Sequence, residues 1–360
     1  MIDVSYRFGA GRYIQDEDVL EHSGEEILRY GKKAYILTGK TAYQVTENRM
    51  RASFEKAGLT YIVEEYDGYP CKEKIRQLSN TICENNCDVM VGVGGGRIMD
   101  TAKAAAFSAN IPIVTIPTQA ATCAAFSPLS VLYTPEGKSD DYIQFEHEVD
   151  SVLVDEQVMI TQTPRLLAAG ILDAMAKYIE IAALKPYALD ADTSIARHSA
   201  FYMSEYTYNI LKENGTEAME DLKKGLLTKS FKDVVYINIA LTGIVSGMMQ
   251  GRGQTALGHG FNNAMHKEYL EQIKNWYHGE GVAVGLLAQS VYNEENSKIE
   301  ELKKIMKAFE MPCSLEDLGV EPCDETVECL YERLRTYGFM THDDRHEQLL
   351  KAALNEIRKS

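Results

Sequence analysis

In the first half of the chain, short apolar runs alternate with stretches whose apolar residues recur every three or four positions. Residues 33–38 (KAYILT) are apolar without helical spacing and read as a buried strand. Residues 59–66, rich in Tyr, Ile and Val, read as a second. Between residues 72 and 86 the positions Ile75, Leu78 and Ile82 share one helical face. Residues 88–93 (DVMVGV) predict a third strand, 99–109 an Ala-rich helix, 113–116 a fourth strand and 152–154 a fifth. Such alternation predicts parallel pairing in a doubly wound α/β sheet. From Pro164 onward long helical patterns take over, at residues 166–183, 234–249, 299–309, 325–337 and 345–357. Thr163 and Pro164 suit the cap and first turn of the first of these. The 360 residues are enough for about two domains. The change of pattern puts an α/β domain at 1–160 and an all-α domain at 161–360, joined by a short hinge rather than a tether.

Composition narrows the classes. Acidic residues outnumber basic ones, for a formal net charge of -16, which argues against nucleic acid as a partner because that requires clustered Lys and Arg. The seven cysteines are odd in number and contain no CxxC pair. A disulfide framework is therefore not expected, and a reducing compartment is. Cys83 and Cys87, four apart at the end of the 72–86 helical stretch, offer two thiols for a metal, but the spacing points to one only weakly. The opening Met1-Ile2-Asp3-Val4 lacks the basic start and apolar run of a secretion signal. No uninterrupted apolar stretch of about 18 residues occurs. The expectation is a cytoplasmic protein without a membrane span.

Three places carry candidate chemistry. The strand 88–93 runs into Gly94-Gly95-Gly96 and then a helix. Glycines let backbone approach a ligand closely, and the free N–H groups of a helix start suit a pyrophosphate. The spacing is not the usual GxGxxG, and a tight turn alone would also use glycine. Strand 33–38 ends in Thr38-Gly39-Lys40, where an acid would bind the ribose 2′-hydroxyl of NAD. Gly39 and Lys40 instead favour the 2′-phosphate of NADP, unless they merely make a turn. Finally, Asp173, His259 and His278 provide two imidazoles and one carboxylate, the donor set of a catalytic zinc with a position left for substrate. Their spacing alone does not single them out: His259 and His278 stand nineteen apart, each beside glycine as in many loops. His266 is a rival ligand. His22, His147, His198, His342 and His346 read as solvated.

Taken together, VGVGGGRIMDTAKA (91–104), IPTQAATCAAFSPLSVLYT (116–134), VLVD (152–155), AGILDAMAKYIE (169–180), TALGHGFNN (255–263) and YHGEGVAVG (277–285) resemble the iron-containing alcohol dehydrogenase superfamily, and within it the glycerol dehydrogenases. The resemblance runs in family order from RFGAGRYIQ (7–15) to about residue 287. It implies a Rossmann-like N-terminal domain, an all-helical C-terminal domain (the dehydroquinate synthase-like fold) and a cleft between them. It also implies NAD(P), one divalent metal, a small alcohol or carbonyl substrate and a homo-oligomer. Carried over, Gly94, Gly95, Gly96 and Asp100 fall on the pyrophosphate loop, and Thr118, Thr122 and Ser127 on the segment lining the nicotinamide. Asp173, His259 and His278 fall on the metal ligands.

Two departures bear on that resemblance. Iron-type members carry a His four residues after the first ligand; here Lys177 stands there, which favours zinc over iron or manganese. Glycerol dehydrogenases carry an Asp near the polyol hydroxyls where this chain has Cys123. The ATCAAF version is similar to the hydroxycarboxylate dehydrogenases, which reduce 2-oxo acids with NADPH. Arg97 and Lys138 are candidate partners for such a carboxylate. The activity expected is hydride transfer between NAD(P)(H) and a small polyol or hydroxy compound, with 2-oxo acid reduction as the alternative. A dehydroquinate synthase-like lyase and an inactive binding relative are the remaining readings.

Overall fold

In a computed structural model, described over residues 7–183, 194–249 and 253–359, eight strands are formed. They are β1 (Tyr13–Asp16), β2 (Lys33–Thr38), β3 (Thr60–Glu65), β4 (Val89–Gly94), β5 (Ile113–Pro117), β6 (Leu129–Tyr133), β7 (Ser139–Gln144) and β8 (Ser151–Asp155). Six of them build one sheet in the order β1-β8-β5-β4-β2-β3, every pair parallel. The strands predicted at 33–38, 59–66, 88–93, 113–116 and 152–154 are β2, β3, β4, β5 and β8. They were legible because β4, β5 and β8 are buried at every position, as expected where helices cover both faces of a sheet. The short β1, the antiparallel hairpin of β6 and β7, and the helix Lys40–Ala57 were not predicted. The hairpin's residues 139–144 (SDDYIQ) are polar and half exposed, so no apolar run announces them.

Two loops leave the sheet side by side. Strand β2 pairs with both β3 and β4, so the order of strands reverses there. The loop after β2 carries Gly39 and the loop after β4 carries Gly95. A reversal of this kind opens a crevice at the carboxyl ends of the strands, the usual ligand position in such sheets.

The rest of the chain is helical. Pro164–Ala182 begins as predicted, with the Thr163 hydroxyl accepting from the Leu166 amide. It is buried almost all round, as a central helix must be. Ile195–Lys224 and His278–Tyr292 pack against it, and Leu257–Glu268 packs against the latter. The 30-residue helix Ile195–Lys224 was not predicted: its buried positions include Ser204, Thr207, Gly215 and Ala218, which blur the apolar stripe. The predicted 234–249 helix is continuous only through a π-turn at Ile237–Leu241, between Lys229–Tyr236 and Thr242–Met248. The Thr242 hydroxyl donates to the Ile237 carbonyl five residues back. Among the described residues, Lys229–Met248 is by length and composition alone apolar enough to cross a membrane, although Lys232 and Asp233 interrupt it. Most of it is nonetheless buried inside the fold.

Candidate metal and cofactor site

Three elements converge on one cluster. Asp173 lies mid-way along Pro164–Ala182, His259 in the first turn of Leu257–Glu268, and His278 at the first position of His278–Tyr292. Their ligand atoms all lie within 4.8 Å of one another. Asp173 Oδ1 is 3.2 Å from His259 Nε2 and 3.5 Å from His278 Nε2, yet it is buried and makes no hydrogen bond among the described residues. A buried carboxylate oxygen left open toward two imidazoles is what a divalent cation satisfies. Burial alone would raise the Asp173 carboxyl, but the facing His259 and His278 outweigh it and hold it well below the usual carboxylate range.

The outer partners of both rings fit metal binding. Glu180 is fully buried on the same helix as Asp173 and sits 2.5 Å from His259 Nδ1. That nitrogen donates to the carboxylate, which leaves the Nε2 lone pair facing Asp173. The Asn262 amide nitrogen Nδ2 lies 3.1 Å from His278 Nδ1, and the amide's oxygen and nitrogen exchange places by a half-turn of the group. An amide turned with its oxygen to that nitrogen accepts its proton and frees Nε2 in the same way. His266, the rival ligand, lies outside the cluster. Its ring packs against Tyr133, and burial pulls its pKa down to about 4.

Close helix packing sets these positions. A Cβ on Gly279 would lie 2.0 Å from the Ala169 carbonyl oxygen, so only glycine lets the His278 helix start against the Asp173 helix. Gly279→Ala is expected to cost about 1–3 kcal/mol by overpacking and to lower metal retention. Thermal unfolding and metal analysis of the purified variant check both.

On the sheet side, Gly94 ends β4 with φ 151°, a conformation side chains disfavour. Gly95 caps the helix Gly96–Ala109, and a Cβ there would strike the Gln119 side chain at 2.0 Å. The Thr118 amide donates to the Gly94 carbonyl at 3.0 Å, and Thr122 Oγ1 borders Gly96. Thr118 and Thr122 thus flank the glycine loop. Asp100 and Ser127 are buried behind it instead. Lys103, also buried, lies 3.1 Å from Asp100 Oδ1 and donates to the Ser127 and Leu129 carbonyls. Burial raises the Asp100 carboxyl, and the charge of Lys103 partly offsets this. Gly39 is the cap of Lys40–Ala57; a Cβ there would meet only Ile98 Cγ1, at an ordinary 3.9 Å, and Lys40 is exposed beside it.

The segment with Cys123 joins the two sides. The Ala120 amide donates to Gln162, and Asn238 from the π-turn donates to the Ala120 carbonyl at 2.9 Å. A Cβ on Gly170 would lie 1.9 Å from that carbonyl, so the Asp173 helix touches this segment directly. Burial pushes the Cys123 thiol up to about 11, against the charge of Lys177. Alkylation by iodoacetamide at pH 7.5, followed by peptide mass spectrometry, is therefore expected to spare Cys123 and to mark exposed Cys83.

Comparison with known proteins agrees with this geometry. Residues 10–156 match the model of the family described as iron-containing alcohol dehydrogenase. The chain is 31% identical over 312 residues to a glycerol dehydrogenase of Pseudomonas putida, covering 86% of this chain and 84% of that one. The chain belongs to the iron-containing alcohol dehydrogenase family. It is thus an NAD(P)-dependent dehydrogenase of the glycerol dehydrogenase-like branch. It is also 31% identical over 291 residues to hydroxycarboxylate dehydrogenase A of Escherichia coli K12, covering 80% and 78% of the two chains. The crystal structure of a probable glycerol dehydrogenase from Sinorhizobium meliloti 1021 shares the fold, with a TM-score of 0.85 at 24% identity and 98% of each chain covered.

In this member of the family the structure brings Asp173, His259 and His278 together. Sequence reasoning passed over Glu180 and Lys103, both buried, and Asn262. Glu180 stands seven residues after Asp173, two helical turns along the same face, and that spacing was the available signal. His198, read as solvated, is buried at 5% exposure on Ile195–Lys224.

Proposed function

We propose that this chain transfers a hydride between NAD(P)(H) and a small polyol or other hydroxy compound. Asp173, His259 and His278 hold one divalent ion, zinc by donor set. The observation that carries this reading is the buried, open Asp173 oxygen facing two imidazoles whose other nitrogens are engaged by Glu180 and Asn262. When bound, the ion supplies Lewis-acid polarisation of the substrate oxygen and the nicotinamide supplies or accepts the hydride. The protein's part is to hold the two together. Gly94, Gly95, Gly96 and the start of Gly96–Ala109 take the pyrophosphate, Thr118 and Thr122 flank the nicotinamide, and Asp100 and Ser127 brace the loop from behind. The chain acts in the cytoplasm as a homo-oligomer, with domains at 1–160 and 161–360 meeting at the site.

NADP is the favoured cofactor, because no acid stands at Gly39 and Lys40 is exposed beside it. Gly39→Asp has room for its side chain. It is expected to lower kcat/KM for NADPH by roughly 10- to 100-fold through like-charge repulsion, with NADH little changed. Initial rates with both cofactors check this.

A second reading, reduction of a 2-oxo acid with NADPH, is supported by Cys123, which brings no carboxylate to repel an anion. The deciding assay follows NADPH and NADH oxidation optically with 2-oxobutanoate and with dihydroxyacetone, with and without chelator. Chelator-sensitive turnover of either compound supports the dehydrogenase reading, and the preferred compound selects between the two substrates. Turnover indifferent to chelation counts against the metal site.

A further inference from the structure

On the face of Pro164–Ala182 that carries Asp173, Lys177 follows one turn on and Glu180 nearly one turn later. Asp173 and Glu180 approach the His259 ring from its two nitrogens, so Lys177 is held between them beside the same imidazole. Lys177 is 6% exposed, yet among the described residues its ammonium makes no hydrogen bond and no ion pair. The neighbouring carboxylates are engaged. Glu180 accepts from the Ala256 amide at 2.7 Å, the His259 amide at 2.9 Å and His259 Nδ1 at 2.5 Å, and Asp173 faces the two metal-side nitrogens. Its charge helps hold Glu180 ionised, but among the described residues no acceptor pairs directly with the ammonium, which leaves it able to take an anionic group from outside the chain.

The surroundings say what that partner is. The 118–123 segment is pressed onto this helix at Gly170, and Lys177 exerts the largest charge effect on the Cys123 thiol. Lys177 thus lies toward the Cys123 segment, where Asp173 and Asp100 also act on the thiol but neither pairs with Lys177. With a divalent ion bound and both imidazoles neutral, the ion and Lys177 together exceed Asp173 and Glu180 by one positive charge. A monoanionic substrate balances that excess, and a neutral polyol does not. Arg97 and Lys138, the cations named from sequence, are solvent-exposed rather than buried on this helix face. Arg97 is half exposed over the Tyr69 ring, and Lys138 is exposed in the β6–β7 turn.

We propose that Lys177 is the carboxylate-binding residue of this site and that the substrate is a 2-oxo acid, or in reverse a 2-hydroxy acid. This rests on the dehydrogenase reading above. The carboxylate pairs with the Lys177 ammonium while the C2 oxygen faces Asp173, His259 and His278. NAD(P)H gives a hydride to C2, the carbon–oxygen double bond becomes single, and the oxygen takes a proton from solvent. The cofactor leaves oxidised, and the carboxylate and Lys177 end as they began.

The test is calorimetric binding of oxamate, a 2-oxo acid mimic, to the zinc-loaded protein with NADPH, alongside turnover. Lys177→Met is expected to weaken oxamate binding on the order of 100-fold, and to raise KM for 2-oxobutanoate in step, with zinc content and NADPH affinity unchanged. Lys177→Arg retains most of the oxamate affinity. Oxamate binding that is absent in the wild type, or unchanged in Lys177→Met, overturns the proposal. If Lys177→Met does not fold, Cys123→Asp carries the test. Its carboxylate competes for the ammonium and is expected to cause a similar loss, and unchanged binding again overturns it. If oxamate binding depends on Lys177 but neither 2-oxobutanoate nor dihydroxyacetone is turned over, the carboxylate site stands and the dehydrogenase reading falls.

Discussion

His259→Ala is expected to lose bound metal and to lower turnover by about 1,000-fold or more. Polarisation of the substrate oxygen is worth several kcal/mol, and each ~1.4 kcal/mol is a factor of ten in rate. The imidazole is one of the three candidate donors found among the described residues, and its Nε2 lies 3.2 Å from the Asp173 oxygen. Removing it leaves a carboxylate and one partly exposed imidazole, too few for a stable zinc site. It also strips the Glu180 carboxylate of its Nδ1–H donor, so some loss of stability accompanies the loss of activity. Metal analysis, circular dichroism and turnover on the same preparation separate these effects. A folded variant that keeps both metal and turnover would remove His259 from the site. Chelation of the wild-type protein is expected to give the same loss, restored by added zinc.

How much of this was readable from the chain depends on what each residue answers to. Strands β2, β4, β5 and β8 are apolar because both faces of a parallel sheet are covered, a local pattern that needs no partner to be recognised. The glycine loop was legible for a similar reason: its strand, turn and helix are contiguous. The metal cluster was not legible by spacing, since Asp173, His259 and His278 are joined only when three helices pack. Gly258 and Gly260 made His259 look like a loop residue. In the fold His259 is helical, and a Cβ on Gly258 would come within 3.2 Å of Glu180, so the glycine serves close packing rather than a turn. Resemblance to a family supplied what periodicity lacked. It did not supply a role for Lys177, which is buried and, among the described residues, makes no direct hydrogen bond or ion pair, a property only the packed structure reveals.

The fate of Glu180 follows from the same packing. It is fully buried, and burial by itself would raise its carboxyl; the His259 ring and amide, together with the charge of Lys177, hold it lowered and ionised. Glu180→Ala leaves the Ala256 amide, the His259 amide and His259 Nδ1 without their acceptor. Breaking a buried charged partner in this way costs about 3–5 kcal/mol, so a marked fall in the unfolding midpoint is expected. The loss reaches the metal as well. Without a carboxylate on Nδ1, His259 is free to carry its proton on Nε2, the nitrogen that must face the ion. Metal affinity is expected to fall about 10- to 100-fold, the usual effect of removing such an outer partner. Glu180→Gln divides the two consequences. The amide oxygen still accepts from His259 or the backbone, so stability recovers in part, while the lost charge leaves the imidazole a weaker donor. Zinc titrations of the three proteins against a competing chelator read this directly. If both variants bind zinc as the wild type does, Glu180 is a packing residue and His259 takes its orientation from the helix alone.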